Sequence, residues 1–105
     1  MSDNYILKGH EPVPCEDILE WGKWFETGER TVAKNRIKKM KVSTVFLGLD
    51  HNFGGGQPIL FETMIFGGKH DMFQRRYHTW QEAEDGHREI VARLTAGEDP
   101  EGQTS

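Results

Sequence analysis

The stretch VSTVFLGLDHNFGGGQPILFETMIFGG, residues 42–68, decides the fold. It holds two apolar runs, 42–49 and 59–66, separated by the polar, glycine-rich segment 50–58. Both runs are rich in β-branched and aromatic residues and too short for typical helices, so they read as two strands. Side chains of a strand alternate between its faces. In the first run Val45, Leu47 and Leu49 share one face, and Val42, Thr44 and Phe46 the other. In the second, Ile59, Phe61, Thr63 and Ile65 oppose Leu60, Glu62, Met64 and Phe66. Apolar residues on both faces predict central strands covered by helices or by a partner chain. An antiparallel hairpin is the simplest way to join them.

On the N-terminal side, Tyr5, Ile6 and Leu7 predict a short strand, with a turn through Lys8, Gly9, His10 and Glu11. Val13 returns as an edge strand, because Pro12 and Pro14 cannot donate ladder hydrogen bonds. Glu16 and Asp17 open a helix, where acids suit the positive dipole end. Ile18, Trp21, Gly22 and Phe25 then fall at i, i+3, i+4 and i+7, an apolar stripe that ends near Thr27 and Gly28. Trp24 and Leu19 lie off the stripe, which leaves Trp24 as flanking core or as an exposed interface residue. Residues 31–41, TVAKNRIKKMK, contain no acid. They read either as a separate strand with a turn at Lys38 and Lys39, or as an extension of the strand from Val42.

On the C-terminal side, residues 69–78 are polar and irregular, a loop carrying Arg75 and Arg76. Thr79-Trp80-Gln81-Glu82 has the capping-box spacing, and Trp80, Ala83, His87, Ile90, Val91 and Leu94 form an amphipathic helix closed by Gly97. Residues 1–4 read as frayed, and 98–105 as a disordered acidic tail. Residues 1–97 are therefore expected to form a single α+β domain. Its frame is a small antiparallel sheet built on a central long hairpin and packed with two amphipathic helices.

Composition bounds the function. A chain of 105 residues forms one modest core, and a hydrophobic content of 35% with many aromatics predicts burial against a second copy, as a homodimer or higher oligomer. The net charge of −4 excludes generic binding to long duplex nucleic acid but permits a local basic site. A lone Cys15 forms no internal disulfide and fits a reducing cytoplasm. No leader and no apolar run long enough for a bilayer is visible, so a cytoplasmic protein with no membrane partner is expected.

Three groups of residues could carry chemistry. Gly54, Gly55 and Gly56 permit close backbone approach, and successive free amides there could cradle an anion. No Gly-Lys-Ser/Thr follows, so the segment is not a P-loop; a mobile hairpin loop is the bland alternative. Lys34, Arg36, Lys38, Lys39 and Lys41 form a basic run, and Arg75, Arg76 and Tyr77 a second basic patch. A solvated edge strand explains lysines equally well. The functional alternative is a phosphate site with Phe53, Tyr77 or Trp80 stacking on a base. Asp50, His51 and Glu62 could transfer protons, but no nucleophile is marked, Ser43 having no motif around it. His87 on the apolar side of its helix reads as a hydrogen-bonded core histidine. An inward Glu62 must find a partner or face solvent, a groove or a subunit boundary. No His or Cys pair shows metal-ligand spacing, so no metal and no cofactor is expected.

The block of residues 42–68, together with RYHTWQEAEDGHREIVARL and the N-terminal YILKGHEPVPCEDILEWGKWFE, resembles a family of small proteins of tailed bacteriophages. The likeness runs from about Asn4 to Leu94. It implies a phage accessory protein acting in the host bacterial cytoplasm, one that counters host defence by binding a host protein or by sequestering a nucleotide. It carries over no catalytic residue. Three readings follow: a non-enzymatic binder of a small phosphorylated ligand at Arg36, Phe53, Gly54–Gly56 and Arg75–Tyr77; a protein–protein inhibitor or structural accessory using Trp24 and Phe53; and a small hydrolase on Asp50, His51 and Glu62.

Overall fold

A computed structural model describes residues 3–101. Strands β1 (Tyr5–Lys8) and β2 (Glu11–Pro14) pair as a two-stranded sheet, followed by helix α1 (Ile18–Thr27). Strands β3 (Thr31–Ile37), β4 (Met40–Phe46), β5 (Phe61–Phe66) and β6 (Gln74–Tyr77) form a four-stranded sheet in sequential order, and helix α2 (Trp80–Thr95) follows. All strand pairs are antiparallel, so the architecture is the expected α+β one. Of the two readings of residues 31–41, the separate strand is the one formed, turning at Lys38 and Lys39.

The central hairpin pairs Lys41 with Phe66 through Phe46 with Phe61. Its strands stop short of the apolar runs because the N-terminal segment competes for the backbone beyond Phe46. Tyr5 N donates to Gly48 O at 2.9 Å, Asp50 N donates to Asp3 O at 2.9 Å, and Asn4 bridges to Leu49. The Trp21 indole N–H is shared between Tyr5 O and Gly48 O, at 3.1 and 3.0 Å, which locks α1 onto this junction. Asn4, expected to fray, is thus tied in; Met1 and Ser2 lie outside the described residues.

The inner face of the sheet carries Val42, Thr44, Phe46, Phe61, Thr63, Ile65 and Tyr77, all buried beneath α2. Leu7 joins one end of this core, and His10 stacks on Trp80 with ring centroids 3.8 Å apart, which fastens the small hairpin to α2. Gly86 is what lets the helix sit so low: a Cβ there would lie 2.3 Å from the Tyr77 ring. The opposite face, with Lys41, Ser43 and Val45 beside Glu62, Met64 and Phe66, is crossed by neither helix. The central position of β4 and β5 is as read from their two-sided apolar pattern; neither helix supplies the cover of the second face.

Under α2 a line of polar groups crosses the whole sheet. Tyr77 OH lies 2.9 Å from Thr63 Oγ1, Thr63 Oγ1 2.5 Å from Thr44 Oγ1, and Thr44 Oγ1 2.7 Å from His87 Nδ1. His87 Nε2 lies 2.7 Å from Asn35 Oδ1. Since an amide oxygen only accepts, Nε2 carries the imidazole proton and Nδ1 accepts from Thr44. Tyr77 OH then donates to Thr63, Thr63 to Thr44 and Thr44 to His87, and the core histidine read from the sequence is fully bonded.

Three local expectations are corrected. The α1 stripe is not fully buried: no α1 residue is, and Ile18 at the start of the stripe is 60% exposed. It is Trp24, off the stripe, that packs edge-on against Phe46 at 5.7 Å, since α1 meets only the end of the core. Residues 74–77 are strand β6 and not loop; as an edge strand it has one neighbour and needs little apolar character. The expected tail is packed as far as it is described: Pro100 is buried, and Glu98 N donates to Arg93 O at 2.7 Å. Residues 102–105 of that tail lie outside the described residues. Among the described residues no helix is long and apolar enough to cross a membrane.

The N-terminus of α2 matches the capping-box reading on one arm. Thr79 Oγ1 accepts from Glu82 N at 3.1 Å, while Glu82 Oε1 accepts from His78 N, one residue further out. Thr79→Ala is expected to lower stability by about 1 kcal/mol, read as a shifted denaturation midpoint with unchanged slope.

Burial pushes the His87 imidazole below its ordinary value. The unfolded chain therefore takes up this proton before the folded one does, and stability falls as pH drops below about 6.5. Chemical denaturation between pH 7 and pH 5 should show a declining midpoint, and His87→Gln should flatten that decline. An unchanged slope in the variant would place the titration elsewhere.

Candidate functional site

The basic run is organised by the turn between β3 and β4. Lys38 takes a left-handed conformation, φ 54°, and Ile37 pairs with Met40 to close a two-residue turn. The connection from β5 to β6 folds down against this turn through Gly67 (φ 87°) and Gly68 (φ 73°). A Cβ on Gly67 would come within 2.6 Å of Lys39 O, and one on Gly68 within 2.7 Å of Met40 Cγ. Asp71 Oδ1 accepts from Gly67 N at 2.6 Å and holds the loop in place. Lys69 and His70 are carried on the loop so fixed.

The third wall is the end of α2. Gly97 (φ 78°) closes the helix in a Schellman arrangement: Glu98 N donates to Arg93 O at 2.7 Å and Gly97 N to Leu94 O at 3.1 Å. Ala96 N donates to Ala92 O, and Thr95 Oγ1 to Val91 O. With these carbonyls occupied, the negative end of the helix is muted where it approaches the lysines.

Between the three walls lies a hollow of about 380 Å³, lined by Lys38, Lys39, Met40, Gly68, Lys69, His70, Leu94, Gly97 and Glu98. Three lysines and a histidine thus share this hollow with the apolar Met40 and Leu94. The single carboxylate, Glu98, is engaged with Arg93 Nη1 at 3.4 Å.

Next to the hollow, on the uncovered sheet face, the register aligns Arg36, Lys41 and Phe66 in one row across β3, β4 and β5. Lys41 Nζ lies 5.9 Å from the centroid of the Phe66 ring, which is 42% exposed. A second hollow of about 250 Å³ is lined by Lys34, Asn35, Arg36 and Lys41. Among the described residues no carboxylate forms an ion pair with Lys34, Arg36, Lys38, Lys39, Lys41 or Lys69.

Of the ligand residues expected from sequence, only Arg36 lies here. Arg75 and Arg76 are neighbours on a strand and so point to opposite faces. Arg76 pairs with Glu62 at 2.9 Å, which gives that carboxylate its partner, and Arg75 pairs with Glu89 at 2.9 Å. The Arg75 guanidinium holds the Glu89 carboxyl below its ordinary value. Tyr77 is buried with its hydroxyl bonded to Thr63, and so presents no free face for stacking; burial pushes the phenol up.

Phe53 and Gly54–Gly56 sit at the opposite end of β4, beyond Phe46. Asp50 Oδ1 accepts from Asn52 N and Ile59 N at 2.7 and 3.0 Å, closing this loop on itself, and the Gly55 amide donates to Asn52 O at 3.3 Å. The hollow there, about 400 Å³, is flanked by Asp3 and Asp50, whose charges repel an anion. The glycine triplet closes a self-bonded loop beside two carboxylates; the glycine pair 67–68 brings the lysines together.

The candidate catalytic group is also dispersed. Asp50 bonds loop amides, His51 Nδ1 donates to Leu49 O at 2.8 Å, and Glu62 bonds Arg76. Among the described residues no cluster of three or more His, Cys, Asp or Glu could hold a metal. No protein-family model, curated protein or solved structure matches this chain.

Gly67 and Gly55 make a controlled comparison. Both have φ near +85°, but a Cβ on Gly55 meets nothing within 4 Å. Gly55→Ala should cost about 1–2 kcal/mol from backbone strain alone, and Gly67→Ala clearly more, because the Lys39 carbonyl is in the way. Equal denaturation midpoints for the two variants would contradict the packing of the loop on the turn.

Proposed function

We propose that this is a phage accessory protein that binds, without converting it, a small phosphorylated ligand such as a signalling nucleotide, and so counters host defence in the bacterial cytoplasm. The observation that carries the reading is the convergence of Lys38, Lys39, Lys69 and His70 from two turns onto one hollow with an apolar floor. Like charges spread over a surface are ordinarily solvated and apart. Held together by a glycine contact and left without carboxylate partners, they gain most from an anion that neutralises them. The resemblance to phage proteins supplies the biological setting, and the dispersal of Asp50, His51 and Glu62 favours binding over hydrolysis.

A protein partner is the second reading, favoured by Phe53 and Leu19, which are 90% and 82% exposed at a distance from the basic end. Self-association is proposed on the uncovered sheet face away from the basic row, where Val45 and Met64 offer apolar surface.

The decisive measurement is incubation of pure protein with a panel of nucleotides, followed by denaturation and analysis of what is released. Intact recovery is expected. Lys38→Ala and Lys69→Ala should each raise Kd about tenfold, and affinity should fall as salt is raised. Recovery of a converted product would establish catalysis instead, and wild-type affinity in both variants would remove this site.

A further inference from the structure

Resting on that reading, we infer that the ligand carries at least two phosphoryl groups held apart on a scaffold with an aromatic base, as in a dinucleotide, and that it bridges the end hollow and the sheet face. The basic run is divided by its own geometry. Alternation places Lys34, Arg36 and Lys41 on the uncovered face, where they line one hollow, while the turn carries Lys38 and Lys39 to the other. Along the hairpin the Arg36–Lys41 row lies two residues from the turn lysines and Lys34 four, roughly 7–13 Å at the rise of a strand. One phosphate cannot neutralise both. Two phosphates on one small molecule can.

What lies between them is suited to a base. Phe66 stands in the row of Arg36 and Lys41, and its chain continues directly into Gly67 and Gly68 at the end hollow. A planar base stacked on the exposed ring would have one cation group on each side. On that face Glu62 is four residues back along β5 and held by Arg76, and Glu29, whose amide and hydroxyl partner is Thr31, feels the charge of Lys34. The two ends of the proposed site also differ in form. The end hollow is the larger and has an apolar floor, so it suits a phosphate with its attached sugar, while the face hollow suits a phosphate alone.

The test is titration calorimetry with four probes: a nucleoside monophosphate, a pyrophosphate-linked dinucleotide, a cyclic dinucleotide and a tetrathymidylate. Each is measured against wild type, Arg36→Ala, Lys69→Ala and the double variant. One of the two dinucleotides should bind at least tenfold more tightly than the monophosphate. Both single variants should weaken that dinucleotide about tenfold, whereas the monophosphate should respond to one of them only. Phe66→Leu should weaken dinucleotide binding severalfold and Phe66→Tyr should restore it, a pattern that loss of apolar packing alone would not give. All the substituted side chains except Lys69 lie on the open sheet face, and unchanged denaturation midpoints confirm intact folding. Equal affinity for monophosphate and dinucleotides, or indifference of dinucleotide binding to Arg36→Ala, would overturn the bridging inference while leaving the single-phosphate site standing. Tighter binding of tetrathymidylate than of either dinucleotide would overturn it in favour of a single strand. No binding by any probe would overturn both this inference and the proposed function.

Discussion

The line of hydrogen bonds from Tyr77 through Thr63, Thr44 and His87 to Asn35 is the constraint on which the rest of the molecule depends. It joins β6, β5, β4, α2 and β3 in one sequence of contacts, every buried member paired. A one-residue slip of any strand would leave at least one of these groups buried without a partner, which costs about 1–3 kcal/mol in addition to the apolar packing lost. Apolar neighbours such as Val42 and Ile65 would tolerate a slip less specifically, since any hydrophobe of similar size fills the space. The polar line therefore selects one register out of several that would bury comparable area. Gly86 belongs to the same constraint, because only a residue without a Cβ lets α2 approach Tyr77 and bring His87 within reach of Thr44.

Register at the core decides chemistry on the opposite face. With Thr44 fixed against Thr63, Lys41 must lie beside Phe66, and with Asn35 held by His87, Arg36 must lie beside Lys41. The basic row is the outward consequence of an inward network. The same arrangement separates charge. Residues 30–41 contain Arg30, Lys34, Arg36, Lys38, Lys39 and Lys41 and no acid, on a chain of net charge −4. Charge so divided is better matched to a small local anion than to a long polyanion that would have to lie along the remainder.

Much of the architecture was legible because period and punctuation agreed. Residues 42–46 and 61–66 are short β-branched and aromatic runs with apolar residues on both faces, Thr79 and Glu82 mark a helix start, and Gly97 marks its end. Legibility failed where tertiary contacts overrode local pattern. The strand β6 is too polar to announce itself, since Arg75 and Arg76 satisfy themselves through Glu89 and Glu62, residues distant in sequence. The stripe on α1 looked like core, yet the helix buries indole edges and leaves Ile18 and Leu19 in solvent, because it packs on a junction made by residues 3–5 and 48–50. Within the candidate site, the basic run was visible and its partners Lys69 and His70 were not. Nothing in a linear reading joins residue 39 to residue 69.

The two glycine groups show why composition is a poor guide to sites. Three adjacent glycines invite the thought of an anion cradle, but a cradle needs amides that are free and a field that is positive. Around Gly54–Gly56 the Gly55 amide is already donated to Asn52, and the nearest charges are Asp3 and Asp50. Gly67 and Gly68 bond to Asp71 within their own loop. Their lack of a Cβ permits one turn to touch another, and that contact brings Lys69 and His70 to the hollow shared with Lys38 and Lys39. A glycine can thus act on a ligand through the position of its neighbours, and the evidence for that role is a close backbone approach, visible only once the chain is folded.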